Sequence, residues 1–213
     1  MNHGVMRRVE KRREEQVSIG EAAMVDVEEA AKRIRAENDR EAMILAERRL
    51  KVAEALFMSV LKNDLAGIED SYALRQKAVV RCDASGWSDE LDLMALGACL
   101  HHIYNAFEAY FLRIAKFFEN NIDVDSWHRD LLERMRLEIP GIRPALLTDD
   151  RLAEKIDELR RFRHVFRNLY KTRLSAARLR VINEAAERCY EDFAPMHDDF
   201  GRWLDELGRS LGR

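Results

Sequence analysis

Apolar residues recur every third or fourth position along most of the chain, and nowhere alternate in the two-residue rhythm of a strand. That pattern predicts helices throughout. The stripe starts weakly. From Glu21 to about Glu47 charges of both signs mix densely, and the apolar positions are mostly alanine, with Met24, Val25, Val27 and Ile34. A helix of that composition keeps its faces in solvent. From about Ile44 the stripe strengthens through Leu50, Ala53, Phe57, Val60 and Leu61, and then Leu65, Ile68, Tyr72 and Leu74, to about Val80; a break or kink is expected at Asn63 and Asp64. The segment 83–88, DASGWS, reads as a turn punctuated by Gly86, with Ser88 as the next N-cap and Asp89 and Glu90 in the first turn, where the helix dipole favours acid.

The following helix, from about Asp89 to Asn120, is the most apolar: Leu93, Leu96, Leu100, Ile103, Phe107, Tyr110 or Phe111, Ile114 and Phe118 form a stripe wide enough for the centre of a bundle. A polar loop, a short helix around Ser126 to Arg136, and a rigid connector containing Pro140 and Pro144 come next. Thr148 is placed to cap a helix from about Asp150 to Tyr170, with Leu152, Ile156, Leu159, Phe162, Phe166 and Leu169 inward. Ser175 is placed to cap a last helix carrying Leu179, Ile182, Ala186, Cys189, Phe193, Phe200, Leu204 and Leu207, kinked near Pro195. The expected architecture is all-α: an up-and-down bundle of four to six helices over residues 46–213, preceded by a charged helical extension over residues 1–45.

Composition narrows the function classes. At 213 residues the chain can bury a sizeable core, and its net charge of −3 carries no overall nucleic-acid or membrane signature, so any basic surface must be local. No apolar run reaches membrane-spanning length, and Met1 to Gln16 lacks a signal-peptide core; a cytoplasmic protein is expected. The three cysteines, Cys82, Cys99 and Cys189, are odd in number, far apart and outside any CxxC pair, and read as core or boundary thiols.

Several chemistries have no motif here. There is no GxGxxG, no P-loop, no GxSxG elbow, no HExxH and no paired Cys/His spacing, so neither a cofactor nor a metal is expected. His101 and His102 are adjacent, hence about 100° apart on a helix, and do not share a metal. His197 reads as a surface residue, and Trp87, Trp127 and Trp203 as packing residues.

One segment departs from the charge balance. Between Arg160 and Arg180 lie Arg161, Arg163, Arg167, Lys171, Arg173 and Arg178 with no acid, and the window also holds His164, Asn168 and Tyr170. On a continuous helix Arg163, Arg167 and Tyr170 share a face, and His164 and Asn168 share the adjoining one. Such a cluster reads either as a solvated face paired with acids elsewhere, or as an anion site where arginines grip phosphate and a histidine moves protons. The second arrangement suits metal-free RNA cleavage: the 2′-hydroxyl loses a proton, the leaving 5′-oxygen gains one, and positive charge stabilises the pentavalent phosphate.

At these residues the chain resembles a family. Residues 158–170, ELRRFRHVFRNLY, resemble the signature segment of HepT-like ribonucleases of the HEPN superfamily, which contains an R-x4-H-x-Y motif. Residues 104–108, YNAFE, resemble that family's Tyr-Asn-x-x-Glu block, and residues 127–132 followed by 140–144 resemble its connector. The resemblance spans about Leu50 to Leu207. It implies a helical bundle, commonly a homodimer whose facing motifs build one RNA-cleaving cleft, acting as a toxin. It further implies an MntA-like nucleotidyltransferase antitoxin that adds AMP to the motif tyrosine. By position, Arg163 is the motif arginine, helped by Arg167, and Tyr170 the modified tyrosine. Tyr104 and Glu108 either support the cleft or form a buried polar contact, and His128 either lines the cleft or packs a short helix. The motif histidine is replaced by Asn168, whose amide is neither acid nor base. Three explanations stand open: an introduced change that permits expression of a toxic enzyme, a natural binding or regulatory module partnering a nucleotidyltransferase, or transfer of the role to His164, one turn earlier.

Overall fold

The computed structural model describes the backbone of residues 3–119, 127–168 and 173–211, and the side chains of residues 29–119, 131–168 and 173–210. The described residues form six helices and no strand: α1 (His3–Ala84), α2 (Glu90–Phe118), α3 (Trp127–Arg136), α4 (Asp150–Arg167), α5 (Ala176–Ala186) and α6 (Cys189–Leu211). The fold is an all-α bundle, and no described helix is long and apolar enough to cross a membrane. The chain divides into two compact units, Met1–Val52 and Ala53–Leu211. The first is the N-terminal stretch of α1, where Ala31, Glu47 and Leu50 are the only half-buried residues among 29–50. Its mixed charges leave little apolar surface to bury.

In the second unit most of the striped positions are buried, although Ala53, Val60 and Leu74 of α1 are exposed. Phe57, Leu61, Ile68, Tyr72 and Cys82 of α1 are buried, as are Leu96, Leu100, Ile103, Phe107, Tyr110, Phe111 and Ile114 of α2. Leu152, Ile156, Leu159 and Phe162 of α4 join Leu179, Ile182, Phe193, Phe200 and Leu204 of α5 and α6 in one core. All three cysteines are buried free thiols.

Local chemistry sets the helix ends, in places differently from the spacing-based expectation. No break occurs at Asn63 and Asp64: α1 runs through, because Asp64 is held by Arg113 of α2, Nε to Oδ2 at 2.5 Å, and so stays part of a packed face. α1 ends in paired bonds, Trp87 N–H to Cys82 C=O at 2.7 Å and Gly86 N–H to Asp83 C=O at 3.1 Å, with Gly86 at φ +62°. That left-handed stop is what a glycine after a helix provides. Asp89, not Ser88, caps α2, accepting from the amides of Leu91 and Asp92, while the Ser88 hydroxyl turns back to Ser85 C=O. Asp149, not Thr148, caps α4 by accepting from the Arg151 amide. A carboxylate answers the positive helix end better than a hydroxyl. Ser175 occupies the α5 cap position without a side-chain bond. The single last helix expected from Ser175 onward is divided at Arg188, whose φ of +62° separates α5 from α6, and Pro195, where a kink was expected, lies inside α6. His197 is buried, against the surface expectation, because its Nδ1 meets the Tyr110 hydroxyl at 2.8 Å and satisfies both polar groups inside the core.

Two contacts fix the scaffold around α4. The first is Arg143, with a fully buried side chain. Its Nη2 meets Glu119 Oε1 at 2.7 Å and donates to Arg134 C=O, and its Nη1 donates to the Leu137 and Pro144 carbonyls. The connector reaches this point through a tight turn, with Pro140 in its body, Gly141 at φ +75° and Ile142 N–H bonded to Ile139 C=O. Burial alone would raise the Glu119 carboxyl, but hydrogen bonds from Arg143 and Arg134 outweigh it and hold the group below the usual carboxylate range. The second contact is at Gly97, where a Cβ would lie 2.6 Å from Phe166 Cε2 and 3.1 Å from Leu174 Cδ1. The missing side chain lets the last turn of α4 settle onto α2.

Replacing Arg143 with methionine leaves Glu119 with Arg134 alone, and we expect a loss of about 3–5 kcal/mol, read from urea unfolding at neutral pH. Because the folded-state pKa of Glu119 is depressed, its contribution is present above the ordinary carboxylate pKa and is lost as pH falls through the folded value. The native chain therefore loses this increment in acid and the variant has less to lose. Gly97→Val is expected to cost about 1–3 kcal/mol by overpacking, with α4's last turn the first segment to lose amide-exchange protection.

Candidate functional site

The buried stripe of α4 places the residues that do not belong to it. With Ile156, Leu159 and Phe162 inward, Arg163 lies sideways against α2, and its side chain is 16% exposed. Its Nε–H donates to Asn105 Oδ1 at 3.0 Å, and its Nη2 lies 3.4 Å from Glu108 Oε2. Its guanidinium carbon sits 5.8 Å from the centre of the Tyr104 ring. Tyr104 and Glu108 are both buried. The Tyr104 hydroxyl is pushed well above its ordinary pKa by burial, and then by Glu108, to which it hydrogen-bonds. The blocks at 104–108 and 158–170, remote in sequence, thus meet at one guanidinium. A half-buried arginine needs a counter-charge, and Glu108 supplies it.

Asn105 carries the contact one step further. Its amide nitrogen lies 3.2 Å from His101 Nδ1. The other ring nitrogen of His101, Nε2, is buried with no hydrogen-bond partner among the described residues, and the ring lies 5.5 Å from that of Phe166. Burial, and then the nearby Arg163 charge, push the His101 pKa below its ordinary value. Asn105 lies in the 104–108 block but has no role assigned there, and His101 does not stand out as a site residue in the sequence. The signal that could have found them is the polar series His101, Asn105, Glu108, at i, i+4 and i+7 along the most apolar helix of the chain.

Beside this seam the end of α4 is open. His164, Arg167 and Asn168 are exposed. α4 stops at Arg167, two residues short of Leu169 and three short of Tyr170, so Asn168 is its C-cap and not a member of a helical face. Asn168 Nδ2 donates to the His164 carbonyl at 2.8 Å, filling one of the orphan acceptors of the last turn. Tyr170 and the side chain of His128 lie outside the described residues, so the shared face expected for Arg163, Arg167 and Tyr170 reduces to the first two.

The basic run is not acid-free in space. Arg160 pairs with Asp157 at 2.6 Å, and Arg161 pairs with Asp157 at 2.7 Å and Glu158 at 2.9 Å. Arg173 reaches Glu90 at 3.8 Å, and Arg180 lies over the Trp87 ring at 4.0 Å. Those side chains follow the solvated-face reading. Arg167 has no acidic partner among the described residues, and Arg163 spends only its Nε and Nη2 edges on α2. A groove of about 1140 Å³ between α3, α4 and α5 is lined by Glu133, Arg136, Lys155, Asp157 and Arg161, and by none of Arg163, His164, Arg167 or Asn168. Among the described residues no three of His, Cys, Asp and Glu converge as a metal cluster.

Chemically, the end of α4 offers one oriented guanidinium, one free guanidinium a turn later and one exposed imidazole between them. Guanidinium groups left with unspent donors are the kind of group that suits an anion through charge-assisted hydrogen bonds.

No curated protein and no solved structure matches this chain. A family model described as HepT-like protein matches residues 95–204, a span that takes in both the 104–108 block and the whole of α4. That span is just over half of the chain, and with the all-helical bundle around it the chain belongs to the HepT-like family of the HEPN superfamily.

Proposed function

We propose that this HepT-like protein acts on RNA as a ribonuclease of toxin–antitoxin lineage, cleaving without a metal at the end of α4, and that Asn168 in the histidine position leaves it weak as it stands. The observation that carries this reading is Arg163, held by Asn105 and Glu108 with the rest of its guanidinium unspent, next to exposed Arg167. Arg163 and Arg167 hold the scissile phosphate and stabilise its developing charge. Proton transfer to and from the 2′- and 5′-oxygens requires a group that titrates near neutral pH, and Asn168 is not one. His164, exposed one turn earlier, is the remaining imidazole on that segment. A homodimer would bring a second copy of the motif to the same phosphate, and an MntA-like nucleotidyltransferase would control it by adding AMP to Tyr170. The added negative charge there opposes the RNA backbone.

A second reading has its own support. The Asn168 amide is committed to the His164 carbonyl as a helix cap, a structural use that asks for no catalysis. Under it the protein is a non-cleaving partner of a nucleotidyltransferase, and Arg163 and Arg167 bind without reaction.

RNA cleavage in chelator separates the two. We expect Asn168→His to cleave about 10²–10⁴-fold faster than the unsubstituted chain, and Arg163→Ala in the Asn168→His background to return to the uncatalysed rate while melting cooperatively. Equal cleavage by the unsubstituted chain and Asn168→His would move proton transfer to His164 and sink the assignment of position 168. RNA binding without cleavage by any version would leave the second reading standing.

A further inference from the structure

The hydrogen-bond order around Asn105 is forced by chemistry. The Nε–H of Arg163 can only donate, so the Asn105 atom facing it, 3.0 Å away, is the carbonyl Oδ1. The Asn105 amide nitrogen then faces His101 Nδ1 at 3.2 Å and donates to it. His101 Nδ1 must therefore accept, which places the proton of the neutral ring on Nε2, the atom that is buried with no partner among the described residues. An unpaired buried ring N–H is rarely kept without a reason. Here the other side of the ring sets the orientation of the amide that holds the motif arginine.

We propose that His101 is a positioning residue: in its neutral form it holds the Asn105 amide so that Arg163 is presented to the RNA phosphate, and on protonation it releases that hold. The inference deepens the proposed RNA site and rests on that reading for its functional consequence. A protonated ring donates from both nitrogens, so Nδ1–H and the Asn105 amide nitrogen become two donors face to face. Asn105 can satisfy the new donor only by turning its Oδ1 to His101, and its amide nitrogen then confronts the Arg163 Nε–H. One of the two anchors of Arg163 is lost and only Glu108 remains.

Most of the charged and titratable groups around the ring act in one direction. Arg163 and Arg167 from α4, and His102 on α2, disfavour the protonated ring; only Glu108 favours it. Burial acts with the cations and is the larger cause, so the ring stays neutral at neutral pH and the release lies below the ordinary histidine range. Packing keeps the ring in place: Phe166, 5.5 Å from it, lies where a side chain at position 97 would otherwise be.

The test is made on the full chain with arginine side chains labelled by ¹⁵N. The Arg163 Nε–H resonance, assigned by its loss in Arg163→Lys, is followed from about pH 8 to about pH 5. We expect it to be protected from solvent exchange at the upper end and to lose protection along a single titration in acid, although solvent exchange itself slows there. His101→Gln keeps an acceptor that does not titrate and should stay protected throughout; His101→Phe keeps the packing, loses the acceptor and should be unprotected throughout. Binding of a labelled single-stranded RNA near pH 7.5 should weaken about 5- to 10-fold in His101→Phe and hold in His101→Gln. A natural chain whose Arg163 Nε–H stays protected into acid, or a His101→Gln that titrates like the natural chain, overturns the positioning role. If the resonance behaves as expected and RNA binding ignores both Arg163 and His101, the relay stands and the RNA reading fails.

Discussion

A guanidinium cannot enter the seam between two packed helices without a carboxylate and an acceptor to receive it, and the site at the end of α4 is organised around that requirement. Arg163 is mostly buried against α2, where Glu108 supplies the charge and Asn105 the carbonyl. An arginine left there without them would carry the desolvation cost of an unpaired ion. The requirement reaches outward in both directions. It fixes Tyr104 and Glu108 as buried polar residues on a helix otherwise built for apolar packing, and it fixes the rotation of α4 about its own axis, because only one orientation serves both Arg163 and the stripe ending in Phe162. Gly97 permits the close approach that this orientation needs, by leaving room for Phe166. Far from α4's end, Arg143 does the corresponding work for the connector, anchoring Glu119 and three carbonyls from a fully buried position. The two arginines differ in what they leave over: Arg143 spends its donors inside the fold, whereas Arg163 keeps part of its guanidinium free.

That difference sorts the basic run that stands out in the sequence. Charge along a chain is not charge in space, and acids on the preceding turn of α4 claim Arg160 and Arg161. Pairs of that kind, three and four residues apart and largely exposed, add only a few tenths of a kcal/mol each. They also remove those side chains from the set able to meet a phosphate. The field at the end of α4 is thus narrower than the count of arginines suggests, and centred on Arg163 and Arg167.

Much of the fold was legible because helical periodicity is a strong signal: the stripes of α2 and α4 name their buried residues almost one for one, whereas in α1 Phe57, Leu61, Ile68 and Tyr72 are buried but Ala53, Val60 and Leu74 of the same stripe are exposed. The helix ends were less legible. Ser88 against Asp89, and Thr148 against Asp149, are adjacent candidates whose choice depends on which side-chain oxygen reaches the second or third amide. His197 was misjudged because a histidine on a mostly polar stretch gives no hint of the Tyr110 hydroxyl waiting in the core. At the site, Arg163, Tyr104 and Glu108 were legible through motif blocks, but the contact between those blocks was not, since no local pattern encodes a bond between residues 105 and 163. The place of His101 was illegible for the same reason: it lies two hydrogen bonds from Arg163, through the Asn105 amide.

Asn168 stands where two demands compete. As the C-cap of α4 it must close a helix end, and an asparagine amide that donates to the carbonyl four residues back does this well. Under the proposed ribonuclease reading the motif position would have to exchange protons, which an amide cannot do at any ordinary pH. A histidine placed there could donate to the same carbonyl only through a ring N–H, and a ring committed to that bond has one nitrogen left for chemistry. Capping and catalysis therefore draw on the same few atoms, and the asparagine resolves the conflict in favour of the helix. Arg163, oriented from α2, and Arg167, exposed beside it, are present all the same, so the phosphate contact proposed for them does not depend on which residue closes the helix.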